Sequence, residues 1–197
     1  LRVALETRED IVVAGLDIAL DCFRKLVPVA KIEKHCEDGD AIKAKDVLAV
    51  VEGNARGILT AERTALNTLQ HLSGIATTTR TYVAAMGETT AKLLDTRKTL
   101  PGWRKLEKYA TRMGGAQNHR MGLYDGVMIK DNHLVALDGD VTAAVARARE
   151  ASPKLKIEVE ADTVAIRKRG AGKKQEVVDR AEFVSRVKSE IESRALT

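Results

Sequence analysis

Gly126-Val127-Met128-Ile129-Lys130-Asp131-Asn132-His133 decides the fold reading. A short apolar run passes directly into a cation, an acid, an amide and an imidazole. That is the pattern of a buried parallel strand whose C-terminal end opens onto a site. Two further segments repeat it. Upstream, Lys92-Leu93-Leu94-Asp95 leads into Thr96-Arg97-Lys98; downstream, Leu155–Glu160 (LKIEVE) ends on Glu160. Between them lie two helical patterns, Pro101–Met113, with proline in its first turn, and the alanine-rich Val141–Glu150. Strand and helix in alternation over 92–160 predict an α/β fold with parallel strands and crossover helices.

Outward toward the N-terminus, residues 60–87 read as one long helix. Thr60 is its expected N-cap, and Leu66, Leu69, Leu72 and Ile75 recur at helical spacing. Residues 27–60 read as a small β-rich unit. Val27, Val29 and Ile32 alternate, Gly39-Asp40 marks a turn, Val47–Val51 forms a strand, and Gly53, Arg56 and Gly57 lead into Ile58-Leu59. Residues 7–26 predict a helix broken at Gly15 and a second helix after it. Toward the C-terminus, Arg167–Lys174 is a basic, glycine-containing linker, and Gln175–Leu196 is an amphipathic helix with Val177, Ala181, Val184 and Ile191 on one face. The division that follows is 1–87 with its linking helix, 88–162, and 163–197.

The 197 residues suffice for one large domain or two small ones. Aromatic residues make up only 3%, so the core is expected to consist of Ala, Val, Leu and Ile. The net charge of +5 suits either nucleic acid or small anionic substrates. Cys22 and Cys36 provide no zinc set and no disulfide framework, so two reduced thiols are expected. No apolar run reaches the ~20 residues of a membrane helix, and no signal peptide is visible. A cytoplasmic protein with no membrane and no nucleic-acid partner is the expectation.

The cations decide the class of ligand. Arg97 and Lys98 follow a strand, His119 and Arg120 sit in a glycine-flanked turn, and Lys130 ends a strand. Groups from three connections can converge on one multiply charged anion. Arginine pairs bidentately with carboxylate or phosphate, and lysine supplies a point charge. Arg104, Lys105 and Lys108 are read instead as the solvated face of a helix.

Ala61–Asn67 (AERTALN), Leu72–Thr77 (LSGIAT), Asp95–Gly102 (DTRKTLPG), Asn118–Leu123 (NHRMGL) and Ile129–His133 (IKDNH) resemble, in order and spacing, the signatures of quinolinate phosphoribosyltransferases. The resemblance runs from about residue 7 to Glu160. It implies an N-terminal α/β sandwich over 1–87 and a parallel α/β barrel, here partial, over 88–162. It implies a homodimer or larger assembly, with each site in the barrel mouth of one subunit and closed by the N-terminal domain of the other. The implied reaction joins quinolinate to phosphoribosyl pyrophosphate with Mg²⁺. It yields nicotinate mononucleotide, pyrophosphate and carbon dioxide, a step of NAD biosynthesis.

Carried residue by residue, Arg63 matches the arginine that reaches across the interface to a quinolinate carboxylate. Thr96, Arg97 and Lys98 match the strand-end group that contacts both substrates, and His119 and Arg120 match the pair beside the second carboxylate. Lys130 matches a site lysine, and Glu160 an acid near the ribose and metal. Lys98, Lys130 and Glu160 are the implied catalytic residues; no residue is assigned as a dedicated metal ligand. Asn132 and His133 are candidates for orienting the strand-end loop.

The family's later motifs, a Leu-Asp-Asn, a Ser-Gly-Gly and a late Val-Gly loop, are not found after Glu160. The chain is therefore expected to be truncated or incompletely represented, with three β/α units where a barrel of ~250 residues needs about twice that. Its rival readings are an inactive structural copy and the molybdenum-transport-associated homologue of the same fold. Residues 38–51 resemble the turn of a biotinyl or lipoyl carrier but lack that module's modifiable lysine setting. The basic run 167–174 lacks the interleaved aromatics of a single-strand binder.

Overall fold

Strand Val47–Glu52 organises the N-terminal part, because it pairs on both edges. The computed structural model describes residues 1–160, 163–166, 176–179 and Ser185. These fall into two compact units, Leu1–His119 and Arg120–Thr197.

In chain order the first unit contains β1 (Arg2–Glu6), β2 (Ile11–Val12), α1 (Leu16–Leu26), β3 (Lys31–Lys34), β4 (Ala41–Ile42), β5 (Val47–Glu52), α2 (Ala55–Ala85) and α3 (Arg104–Met113). Strand β5 lies between β1 and β3 in an antiparallel sheet, with Val51 opposite both Val3 and Ile32. β2 and β4 form a separate antiparallel pair. Leu48, Ala49 and Val51 of β5 are buried against Leu16, Leu20 and Phe23 of α1 and Ile58, Ala61, Ala65 and Leu69 of α2. Phe23 is the one aromatic in this core. Apart from Cys36 the rest is aliphatic, as the composition predicts.

The stretch 7–14 is not helical. The Thr7 hydroxyl bonds the Glu9 carbonyl at 2.7 Å, which turns the chain, and Ile11-Val12 is extended. A threonine bonding its own backbone two residues on competes with a helix start. Gly15, read as an interruption, is the N-cap of α1 with φ of 85°. Its amide and that of Leu16 donate to the Asp38 carboxylate at 2.8 and 3.0 Å. The same carboxylate accepts the Tyr109 hydroxyl of α3 at 2.6 Å. Burial, then Asp38, push the Tyr109 phenol above its ordinary range.

Helix α2 begins five residues before Thr60. Asn54 is the cap, its side chain accepting the Gly57 amide at 3.2 Å, and Ile58-Leu59 are helical rather than a strand lead. Thr60 lies inside the first turns and donates to the Arg56 carbonyl at 2.8 Å. The polar residues on the buried face of α2 have backbone partners: Ser73 accepts the Ala14 amide at 3.1 Å, and Thr77 accepts the Val12 amide at 2.9 Å. Farther along, Leu72 and Ala76 pack with Val12, Ala14 and Ala110, so α3 docks on α2.

The segment 92–95 is shorter than the expected strand. It is a single parallel bridge, Leu94 to Gln117, supported by the Gln117 amide to Leu93 at 2.8 Å and the Asp95 amide to Gln117 at 3.1 Å. α3 connects the two bridged segments.

The second unit holds β6 (Val127–Ile129), α4 (Asp131–Val135), α5 (Val141–Ala151), β7 (Ile157–Val159), β8 (Thr163–Ile166) and β9 (Glu176–Asp179). β6 and β7 pair in parallel, Ile129 opposite Val159, with α4 and α5 in the crossover. This is the strand, helix, strand order predicted from 126–160. β8 and β9 pair antiparallel. The helix expected from Gln175 onward is therefore a strand over 176–179. Val177-Val178 is a β-branched pair, and a short apolar run does not distinguish helix from strand by periodicity. The basic linker and the remainder of that expected helix lie outside the described residues, apart from Ser185. No described helix is long and apolar enough to cross a membrane.

Gly15 supplies a test of this packing. A Cβ there would lie 2.5 Å from Leu72 Cδ1 in a left-handed backbone. Gly15→Ala is expected to lower stability by about 2–4 kcal/mol, strain and overpacking together. Urea unfolding followed by circular dichroism checks it; a loss under 1 kcal/mol would contradict this geometry.

Candidate active site

In the first unit the bridge at Leu94 ends on Asp95, and the carboxylate of Asp95 gathers the neighbouring segments. Its Oδ1 accepts the His119 amide at 2.7 Å, and its Oδ2 accepts the Asn118 side chain at 2.7 Å. The Lys108 ammonium of α3 closes an ion pair with Oδ1. Both side chains of that pair are removed from water, Lys108 at 1% and Asp95 at 7% exposure. The Asn118 amide also donates to the Lys108 carbonyl at 2.8 Å. Thr96–Lys98 and His119 are thus set on either side of one buried charge.

Thr96 turns the loop by accepting the Lys98 amide at 3.1 Å. Arg104, from the first turn of α3, reaches back to Thr99 at 3.2 Å and to the Arg97 carbonyl at 3.4 Å. A cleft of about 470 Å³ opens beside the loop. Ile75, Thr79 and Tyr82 of α2, Thr96 and Lys98 of the loop, and Glu107 and Thr111 of α3 line it. Lys98 is exposed there, while Arg97 is half-buried. The Arg97 Nε is itself buried with no hydrogen-bond partner among the described residues.

In the second unit Lys130 and Glu160 follow directly on adjacent parallel strands. Their side chains pair at 3.0 Å, both nearly half exposed, and the Glu160 amide donates to the Ile129 carbonyl at 2.8 Å. An ion pair this exposed contributes little to stability, so both groups keep water access. His133, considered from sequence for orienting the strand end, accepts the Lys130 amide on its Nδ1 at 2.9 Å. Asn132 is exposed. Arg120 donates to the Gly126 carbonyl at 3.2 Å, and its Nε is buried without a partner among the described residues. Asp125 accepts the Met121 and Gly122 amides at 2.6 and 3.0 Å. Those bonds hold its carboxyl below the usual range.

The first unit brings together Thr96, Arg97, Lys98 and His119; the second brings together Lys130 and Glu160. Arg63 stands apart, exposed on α2. Two of the cations read as solvated are not. Lys108 is buried with Asp95, and Arg104 braces the loop. An apolar pattern assigns a lysine outward, so no periodicity could have identified Lys108; only its acid partner, distant in sequence, does. Asn118 and Asp95 lay inside quoted motifs without a role.

A family described as quinolinate phosphoribosyl transferase, N-terminal domain, matches residues 1–73, and its C-terminal domain counterpart matches residues 75–190. The chain is 49% identical over 154 residues to a protein of Synechocystis named probable nicotinate-nucleotide pyrophosphorylase (carboxylating), covering 78% of this chain and 52% of that one. It is 48% identical over 159 residues to the nicotinate-nucleotide pyrophosphorylase (carboxylating) of Mycobacterium leprae, covering 80% and 56%. Among solved structures, NadC from Streptococcus pyogenes superposes with a TM-score of 0.78 at 43% identity, over 82% of this chain and 57% of that one. Fold and comparisons together define a mixed α/β protein. The chain belongs to the quinolinate phosphoribosyl transferase family, and it spans about half the length of the curated relatives it matches.

Removing one member of the buried pair leaves the other charge without compensation. Lys108→Met is expected to cost about 3–5 kcal/mol. The double variant Asp95→Asn/Lys108→Met should recover much of that loss, since both charges are gone. Chemical denaturation of the two variants checks this, and equal losses in both would contradict the pairing.

Proposed function

We propose that this chain serves phosphoribosyl transfer from phosphoribosyl pyrophosphate to quinolinate, with decarboxylation to nicotinate mononucleotide. The observation that carries the reading is the pair of buried, unpartnered guanidinium nitrogens on Arg97 and Arg120. Buried polar groups without partners are rare in folded proteins. Here they occur on two arginines that the resemblance assigns to anionic substrates, Arg97 in contact with both of them and Arg120 beside a quinolinate carboxylate.

In this reading the units form an N-terminal α/β sandwich and part of an α/β barrel. In the first unit the loop 96–98 and His119 serve substrate binding, and in the second unit Arg120 and the strand ends at Lys130 and Glu160 do so. Arg63, exposed on α2, reaches a neighbouring subunit's pocket in a homodimer or larger assembly. Free thiols at Cys22 and Cys36 accord with a cytoplasmic setting. Burial pushes the Cys36 thiol up to about 11, so it is a packing group rather than a nucleophile.

Arg120 binds a quinolinate carboxylate, Arg97 contacts both substrates, and Lys98 lies beside the leaving pyrophosphate. The ribosyl C1–oxygen bond to pyrophosphate breaks, and the pyridine nitrogen forms the new bond to C1. The carboxylate next to that nitrogen leaves as carbon dioxide, and the ring carbon takes a proton from water. Lys130 stabilises the electron pair left on the ring. Glu160 faces the positive charge that develops on the ribose. Orientation of two charged substrates supplies much of the acceleration, on the order of several kcal/mol.

Magnesium fits the donor set as a partner of the pyrophosphate. No cluster of three or more metal-ligating side chains occurs among the described residues. Mg²⁺ is commonly held by one or two carboxylates together with substrate phosphates. Glu160, which the resemblance sets near the ribose and metal, would be the carboxylate to hold it. When bound, it neutralises charge on the departing pyrophosphate.

Incubation of the purified chain with quinolinate, phosphoribosyl pyrophosphate and Mg²⁺ should give nicotinate mononucleotide, detected by mass. Arg97→Ala should lower the rate by ~100-fold or more, the scale of a lost charge-stabilising donor. A folded chain that neither forms product nor binds quinolinate would overturn the reading.

A further inference from the structure

The loop that carries Thr96, Arg97 and Lys98 has little hydrophobic burial to hold it. Leu100, its largest apolar residue, is 53% exposed. Its front is anchored by Asp95, described above. Its back is held differently. The Glu107 carboxylate, 12% exposed on α3, divides its two oxygens. Oε2 accepts the Leu100 amide at 3.2 Å, and Oε1 accepts the Nε2 of His71 at 3.0 Å. His71 belongs to α2, the longest helix described. Its ring also meets Trp103 edge-on, with centroids 5.3 Å apart and planes at 79°. Trp103 precedes α3 directly, and its amide donates to the Leu100 carbonyl at 3.1 Å. The loop is thereby tied through Glu107 and His71 to a rigid element outside its own connection. An ionised carboxylate only accepts hydrogen bonds, so Nε2 of His71 carries the proton it donates.

We propose that His71 and Glu107 are positioning residues, a polar strut that fixes the Thr96–Leu100 loop for anion binding. Neither belongs to the set expected to touch substrate. Glu107 borders the same cleft as Thr96 and Lys98, so a shift of the strut shifts those groups directly. An apolar strut would not serve here, because the amide of Leu100 needs an acceptor and the loop is open to water. The inference rests on the proposed function for its ligand, and on the geometry alone for the strut.

The test follows amide exchange and ligand binding in the full chain. In Glu107→Ala and His71→Ala, hydrogen exchange over residues 97–100 should rise about tenfold or more, the effect of losing roughly 1.4 kcal/mol of local protection. Amides of α1 serve as the fold control and should not change. Quinolinate affinity, measured by calorimetry, should weaken by about tenfold in both. Glu107→Gln keeps an acceptor for Leu100, and its NH2 group can donate to His71 Nε2 once the imidazole carries its proton on Nδ1, so it should restore most of both readouts. Unchanged loop exchange overturns the strut. Faster loop exchange with unaltered quinolinate affinity overturns its role in binding. If Glu107→Ala also loses protection in α1, His71→Ala decides, since the carboxylate is then intact. A wild-type chain that binds no quinolinate would instead refute the proposed function, and the exchange measurement would still decide the strut.

Discussion

The carboxylate of Asp95 accepts an ammonium from α3 and, from the neighbouring Asn118 and His119, a side-chain amide and a backbone amide. Burying a charge costs several kcal/mol unless its lone pairs are satisfied. The need to satisfy Asp95 therefore forces Lys108 inward and fixes the ends of two extended segments against α3. The bridge between Leu94 and Gln117 contains few hydrogen bonds of its own. Without the buried pair, little would hold the loop 96–98 and His119 in register. The constraint is electrostatic rather than hydrophobic, which suits a chain with so few aromatic residues.

Helix α2 supplies the frame for that constraint. Its first half packs on the sheet with α1, and its second half packs with α3. Between them, Ser73 and Thr77 take up the amides of Ala14 and Val12. Polar residues on a buried helical face would be costly if unpaired. Here they let one rod take up the amides of Val12 and Ala14 beside the β2–β4 pair. The site loop is then referred to the same rod twice, through α3 packing and through His71.

Much of this was legible in the sequence. The alternation over 92–160 announced parallel strands, and GVMIKDNH marked where one would end. His133, a candidate for orienting that end, accepts the Lys130 amide there. The boundaries of α2 were missed because Thr60 is an acceptable cap in isolation, while Asn54 wins through a bond to Gly57 that sequence does not display. The first residues were misread because Thr7 turns the chain by its own hydroxyl. Lys108 and Glu107 were invisible for a common reason: a charged residue on a helix reads as solvated, and only a partner many residues away reverses that. The strand at 176–179 was lost to a helical stripe in which valines fit equally well.

Trp103 is the sole tryptophan of the chain. It sits half-buried between the loop and α3, with its edge-on neighbour on α2. Ultraviolet emission from this protein therefore originates chiefly at the junction of three elements. Every optical melting curve or ligand titration monitored by that emission registers the junction and not the sheet behind it. The antiparallel strands around β5 are spectroscopically silent by comparison, so agreement between fluorescence and far-ultraviolet dichroism is itself a measure of whether the two regions unfold together.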